Sequence, residues 1–93
     1  MTQTIFKFPL TAKHRQDVYI PRGHKLLHAH EQHGVVCLWA LWPVVAEPAR
    51  TRVQVTCCST GAPIPEDAGD YLGTAHLHGG HLIIHVFTKE IAP

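Results

Sequence analysis

The chain has 93 residues, of which 45% are hydrophobic and 16% charged, and eight Lys and Arg against seven Asp and Glu give a formal net charge of +1 with neutral His. This length supports one domain, residues 1–93, because a second would have too little interior to fold alone. The small charge argues against a nucleic-acid binder that relies on electrostatics, and the small size favours self-association into a homo-oligomer.

The N-terminal stretch MTQTIFKFPLTAKHRQ has no basic patch followed by an apolar run, and no window approaches the roughly 18 apolar residues of a membrane-spanning helix. We therefore expect neither a signal peptide nor a membrane span, which predicts a cytoplasmic protein. The three cysteines, Cys37, Cys57 and Cys58, are odd in number and lack CxxC spacing. They are interpreted as buried free thiols.

The apolar pattern in the first half of the chain is short and twofold, which is typical of β-strands. Four strands are predicted, at TIFKFPL, DVYIPRG, HKLLHAHEQ and VVCLWALW. The last of these is apolar on both faces, with Cys37 and Trp39 on one and Leu38 and Trp42 on the other. It is therefore expected to be central or sandwiched between other elements.

The second half repeats this pattern after a loop that contains Pro43 and Pro48. Strands are predicted at TRVQVTCC, YLGTAHLHGG and HLIIHVFTKE, and the last two form a hairpin whose turn carries Gly79 and Gly80. A long loop, STGAPIPEDAGD, lies before that hairpin. About seven mainly antiparallel strands at nearly even spacing, with no helical period, predict an all-β fold, a compact small sandwich or barrel.

Nine histidines raise the question of a metal site. His24, His28 and His30 share one parity with Leu26, and an HxH pair on a strand projects two imidazoles to one side, as in cupin-like barrels. However, Glu31 follows His30 directly and points to the opposite face, so the cupin pattern is incomplete. We expect solvent-facing imidazoles and no cofactor. The alternative is one transition metal ion held by members of the set His28, His30, His76, His78 and His85.

The sequence offers little for catalysis. Ser59 is the only serine and lies outside a GxSxG elbow, and no loop has the glycine spacing of a phosphate-binding loop. Glu66, Asp67 and Asp70 cluster in one loop and are interpreted as a solvated acidic segment. These observations predict a protein that is not an enzyme and has no catalytic residues.

The two tryptophans have different expectations. Trp39 lies in the middle of its strand and is predicted to fill the core, because a large ring packs a small interior efficiently. Trp42 lies at the strand end before Pro43, where it is either the rim of the core or an exposed anchor for a partner.

Several blocks in a fixed order, namely KFPL, IPRGHKLLHAHEQHGVVCLWAL, STG with a following IP, and YLGT, HGG and HVF, resemble a family of small uncharacterised proteins of bacteriophages and prophages. Members commonly carry K-Y-P-L, C-L-W-A and G-T-G blocks and a closing G-G then H-V-F strand. The resemblance covers roughly residues 5–88. This chain departs from it with STG in place of G-T-G and with Trp42 and Pro43 where an acidic-proline turn is usual.

The resemblance implies a phage protein that acts in the host cytoplasm. It leads us to expect a non-enzymatic inhibitor of a host process, with a bacterial immune effector as target in the manner of anti-CRISPR and other anti-defence proteins. The inhibitor would act by covering a protein surface. The candidate contacts lie in two loops and comprise Trp42, Pro43, Glu47, Arg50, Thr60, Glu66 and Asp67.

Three alternatives stay open. The first is a sponge that sequesters a nucleotide immune signal with imidazoles and Arg22, Arg50 or Arg52 around a pocket between subunits. The second is a metal-dependent, cupin-like enzyme that uses His28 and His30 with His76 and His78 or with His85. The third is a structural accessory protein of the virion.

Overall fold

The structure is a computed structural model that describes residues 2–45 and 48–91. These residues form seven antiparallel β-strands and a short 3-10 turn, which confirms the all-β prediction. The strands are β1 (Gln3–Pro9), β2 (Arg15–Pro21), β3 (Lys25–Gln32), β4 (Val35–Pro43), β5 (Arg50–Ser59), β6 (Asp70–Leu77) and β7 (Leu82–Ile91), and the 3-10 turn at His78–Gly80 joins the last two.

The strands form two sheets that share one core. Sheet A has the order β1-β4-β3 and sheet B the order β2-β5-β7-β6, with every neighbouring pair antiparallel. The prediction for β4 is confirmed, because this strand is the central one of sheet A. β3 and β6 pack against each other, with Gly73 of β6 close to the backbone of Ala29. The molecule is a small sandwich.

The core lies between the sheets and uses every second residue of the central strands. Leu38 of sheet A and Val53, Val55 and Val86 of sheet B are all at most 1% exposed. The buried cluster contains residues of both sheets. Because a strand alternates its side chains between faces, this single buried face explains the twofold apolar pattern of the sequence.

The two tryptophans lie on opposite faces of β4. Trp42 faces the core and is 7% exposed, with ring centroids 4.8 Å from Phe6 and 5.7 Å from Phe8. Its interpretation as core rim is correct, and that as an exposed anchor is wrong. Trp39 is half-buried on the outer face, 5.7 Å from the ring of His28. The prediction that Trp39 fills the core is wrong because sheet B covers only one face of β4.

A β-bulge in β3 reverses the predicted parity of this strand. Leu26 pairs with Ala40, which faces the core, whereas His28 pairs with Trp39 on the outer face, and the register shifts between them. The expectation that Leu26 shares a face with His28 is therefore wrong. The extra residue, Leu27, is 40% exposed. Bulges leave no mark in a simple alternation of apolar and polar residues.

The predicted β6–β7 hairpin is confirmed. Its turn contains Gly79 and Gly80 with φ of 65° and 92°, a backbone conformation that favours glycine. His78 precedes them, also with positive φ, at 51°. The β5–β6 loop does not project freely into solvent, since residues of this loop bond to the outer face of sheet B.

Candidate binding surface beside the loop after β5

An apolar cleft of about 500 Å³ lies at one end of the sandwich. It lies where β1 and β5 end, where β4 begins and where the β6–β7 hairpin turns. Its apolar lining includes Leu10, Val36, Leu77, Leu82 and Ile84, with Val35, Ala12 and Ala62 nearer the surface. Clefts of this size and apolar character are the usual form of small-molecule binding sites, and apolar hollows of this kind also accept side chains of a protein partner.

The polar groups of the cleft come from the β1–β2 loop and from β5. His14 Nδ1 lies 2.8 Å from the carbonyl oxygen of Cys57, to which it donates, and this bond orients the imidazole. Lys13 also lines the cleft. Burial raises the pKa of the half-buried Cys57 thiol to about 11, with a smaller contribution from Cys58. At neutral pH, Cys57 therefore contributes an uncharged, weakly polar wall.

A second depression of about 270 Å³ lies on the outer face of sheet B. Ile64, Tyr71, His85 and Phe87 contribute to its lining, and Tyr71 and Phe87 pack edge to face with ring centroids 5.7 Å apart. Three residues line both depressions, namely Cys58, Ser59 and Ala62. The segment 59–64, which we call the ridge loop, therefore separates the cleft from the second depression. We call these two depressions together the hollows.

A chain of hydrogen bonds attaches the ridge loop to sheet B. Thr60 Oγ1 lies 2.8 Å from Nε2 of His85, and Nδ1 of the same ring lies 3.0 Å from Thr74 Oγ1. Thr74 Oγ1 in turn bonds to the hydroxyl of Tyr71. Because a neutral imidazole donates from one nitrogen and accepts at the other, the hydroxyls can complete the chain in either direction.

The rest of the β5–β6 loop is held by Asp67. Its carboxylate accepts two hydrogen bonds from Arg15, at 2.8 and 3.0 Å, and its carbonyl oxygen accepts one from Gln54 Nε2 at 3.0 Å. The guanidinium of Arg15 lowers the pKa of the Asp67 carboxyl below its ordinary value. Ala68, the next residue, is 1% exposed. The β5–β6 loop is thus attached to sheet B at Thr60, within the ridge loop, and at Asp67, after it.

The structure divides the predicted partner contacts into two separate groups. Pro43 pairs with Gln3, and Arg50 donates to the carbonyl oxygen of Tyr19 at 3.0 Å. Thr60, beyond the opposite end of β5, is separated from Arg50 by about 30 Å of strand. Glu66 and Asp67 belong to the same β5–β6 loop as Thr60, and Glu66 is exposed. Trp42 is in the core, and Glu47 lies outside the described residues.

Sequence reasoning missed the cleft because its lining comes from five separate parts of the chain. Val35 and Leu82 read as ordinary strand residues, and the twofold pattern does not distinguish a residue at the open end of a sandwich from one in its middle. Ile64, which lines the second depression, could have been recognised from the sequence. It is apolar, lies between Pro63 and Pro65, and is 55% exposed.

The histidines of the metal alternative do not come together. His28 and His30 lie on the outer face of sheet A, where their rings stack with centroids 5.3 Å apart. His76 and His85 lie on the outer face of sheet B, and His78 lies in the 3-10 turn. Residues 2–45 and 48–91 contain no group of three or more His, Cys, Asp or Glu close enough to hold a metal ion. The proposed five-histidine set is therefore not one site.

The arginines of the nucleotide alternative are also distant from the two hollows. Arg22 and Arg50 lie at the other end of sheet B, and Arg52 lies 3.8 Å from Asp17 on the outer face. Neither hollow has an arginine in its lining. No helix in the described ranges is long and apolar enough to span a membrane.

Comparison with known proteins gives one family. The family model described as Domain of unknown function (DUF7352) matches residues 1–92. No curated protein and no solved structure matches the chain.

Proposed function

The chain belongs to the family described as Domain of unknown function (DUF7352), and we propose that this member is a phage-encoded, non-enzymatic inhibitor that covers a functional surface of a host protein. The observation that carries the proposal is the ridge loop between two adjacent hollows. Such a surface suits apolar side chains of a partner, which would fill the cleft while the ridge enters a groove of that partner. A bacterial immune effector is the target class that we favour.

The chemistry of the cleft supports a protein partner. Val35, at 38% exposure, is an open apolar group of the cleft, and Ile64, at 55%, is an open apolar group of the second depression at the end of the ridge loop. Exposed apolar groups around a hollow, with polar groups at the rim, are typical of protein interfaces. An ordinary interface covers about 800 Å² per partner, which is roughly one seventh of the 5897 Å² surface of this molecule.

The same lining favours this proposal over a nucleotide sponge. Phosphates need several cationic or backbone donors, and Lys13 is the one residue with a permanent charge among those that line the cleft. Thr60 attaches the ridge loop to sheet B and Asp67 attaches the segment after it, so that less conformational entropy is lost when a partner binds the loop.

The proposal is tested by expressing the protein in a bacterium that carries an active defence system and measuring phage plaquing and the proteins captured. The wild type is compared with Val35→Glu and Ile64→Glu, which place a charge in each hollow. Leu27→Glu is the matched control, since Leu27 is 40% exposed but lies on the β3 bulge. We expect the wild type and the control to restore plaquing and to retain one host protein.

We expect both hollow variants to lose that protein and the protection together, by at least tenfold, because a buried unpaired carboxylate costs several kcal/mol. Equal capture by all four proteins would contradict the use of this surface. Loss of protection with capture unchanged would show that covering the surface is not the mechanism.

A further inference from the structure

β1 is an edge strand of sheet A, and within residues 2–45 and 48–91 no strand pairs with its outer edge. Val44 N donates to Thr2 O, and Leu10 N donates to Val36 O, both at 2.9 Å. Thr2 and Leu10 therefore belong to the hydrogen-bonded phase of the β1–β4 ladder. In an antiparallel pair this phase recurs at every second residue. The backbone groups of Gln3, Ile5 and Lys7 consequently point away from β4.

This edge also exposes large apolar side chains. Ile5 on the outer face is 54% exposed and Phe6 on the inner face is 55% exposed, although the ring of Phe6 packs on Trp42. Lys7 is the only charged residue in the strand. An edge strand that is long, apolar and nearly uncharged is a template for pairing with another strand. Natural proteins either protect such an edge or use it.

We infer that two copies of the chain pair antiparallel through their β1 edges, with the two-fold axis at Ile5. This pairing would join the two A sheets into one sheet of six strands, in the order β3-β4-β1-β1-β4-β3. It uses neither the cleft nor the ridge loop and is therefore independent of the proposed function.

The position of the axis follows from the backbone groups and the charges. With the axis at Ile5, each Ile5 faces its copy and each Gln3 faces Lys7, so that all three outward N–H groups of each strand find carbonyl acceptors. With the axis at Lys7, the two ammonium groups would face each other and Ile5 would face Pro9, which has no N–H to donate. With the axis at Gln3, Lys7 would extend beyond the described part of the partner strand. Among axes that pass through an outward-pointing residue, the axis at Ile5 is thus favoured. An axis at Phe6 also pairs outward groups, and it would offset the cysteines of Ile5→Cys and of Lys7→Cys equally, by two residues each.

The side chains agree with this register on both faces. On the outer face the two Ile5 side chains meet, so their exposed surface is removed from water. On the inner face Phe6 becomes the neighbour of the partner's Thr4, which covers a ring that the sandwich leaves half open. No like charges are placed opposite each other.

The register is tested with two cysteine variants under mild oxidation. Paired residues in an antiparallel ladder have α-carbons about 5.5 Å apart, within the range that a disulfide can bridge. In Ile5→Cys the two thiols face each other, whereas in Lys7→Cys they are offset by four residues, about 13 Å along the strand. We expect a covalent dimer from Ile5→Cys and none from Lys7→Cys. Efficient cross-linking of Lys7→Cys, or equal yields from both, would overturn the register.

The interface itself is tested by sedimentation or native mass spectrometry over a range of concentrations. Ile5→Lys places two ammonium groups together across the axis, and we expect it to raise the dimer dissociation constant at least tenfold. Tyr19→Lys is the control, since Tyr19 is 55% exposed on β2, an edge strand of sheet B. Circular dichroism verifies that each variant is folded. A wild type that stays monomeric at millimolar concentration, or a dimer unaffected by Ile5→Lys, would overturn the inference.

Discussion

Gly73 lies so close to β3 that a β-carbon built on it would be 2.6 Å from the carbonyl oxygen of Ala29 and 3.1 Å from its amide nitrogen. Both contacts are with backbone, which no side-chain rotation can relieve. Glycine at this position lets β6 and β3 approach closely and closes one side of the sandwich. The backbone of Gly73 does not have a positive φ, so the requirement is purely steric.

Gly73→Ala is therefore expected to lower the free energy of unfolding by about 3 kcal/mol or more. Gly34→Ala is the control, because nothing lies within 4 Å of a β-carbon there and only the left-handed backbone, with φ of 79°, is strained. That strain costs about 1 to 2 kcal/mol. Urea denaturation of both variants measures the difference. A smaller effect at Gly73 than at Gly34 would show that β3 and β6 can separate without cost.

Replacing each tryptophan by alanine tests which of the two side chains lies in the core. Trp42→Ala should cost about 3 to 5 kcal/mol of unfolding free energy, because it leaves a cavity next to Phe6 and Phe8. Trp39→Ala should cost less than half as much, since Trp39 is half-buried on the outer face. Chemical denaturation monitored by circular dichroism gives both values. Equal costs would mean that the outer face of sheet A is also a covered surface.

Removing the Thr60 hydroxyl is expected to loosen the ridge loop. In Thr60→Val, His85 Nε2 loses its partner, which should lower the free energy of unfolding by about 1 kcal/mol. The amides of Thr60, Gly61, Ala62 and Ile64 should exchange with solvent several-fold faster, while those of β5 and β7 should not. Hydrogen exchange measures this pattern, and Thr4→Val, on β1 of the other sheet, is the control. Unchanged exchange in the loop would show that the Asp67 contacts alone hold it.

The ion pair between Arg15 and Asp67 should be visible in the titration of Asp67. Because the folded-state pKa of Asp67 is lowered, its contribution to stability is present above its ordinary value of 3.8 and is lost as the pH falls through the folded-state value. In Arg15→Gln, we expect the carboxyl to titrate at higher pH than in the wild type. Carbon NMR of the side-chain carboxyl follows both proteins. Identical titration curves would remove Arg15 as the cause.

The raised pKa of the Cys57 thiol predicts that the folded protein loses stability in alkali. Its folded-state pKa is raised from 9.0 to about 11, mainly by burial, so the unfolded chain releases its proton first. The stabilising contribution is complete below pH 9 and is lost as the pH rises toward 11. Between these values the melting temperature of the wild type should fall more steeply than that of Cys57→Ala. Parallel curves would mean that the thiol is open to water.

Cys37 and Leu38 of β4 show how far a twofold pattern can be interpreted. It correctly placed Leu38 and Cys37 on opposite faces of β4, but Cys37 is 1% exposed although it lies on the outer face. Alternation gives the face to which a side chain points. Whether that face is covered depends on neighbouring strands and on loops that return over the sheet, and these are decided by contacts between residues far apart in the chain.

By itself, the sequence determined the number, type and approximate limits of the strands and the hairpin turn at Gly79 and Gly80, because alternation and the φ preferences of glycine act over a few residues. Only the tertiary structure decided that the β3 bulge turns Leu26 toward the core and His28 outward, that the candidate histidines lie on different sheets, and that the ridge loop separates two hollows. These features come from the order of the strands in the two sheets and from the packing of the sheets, which no local pattern encodes.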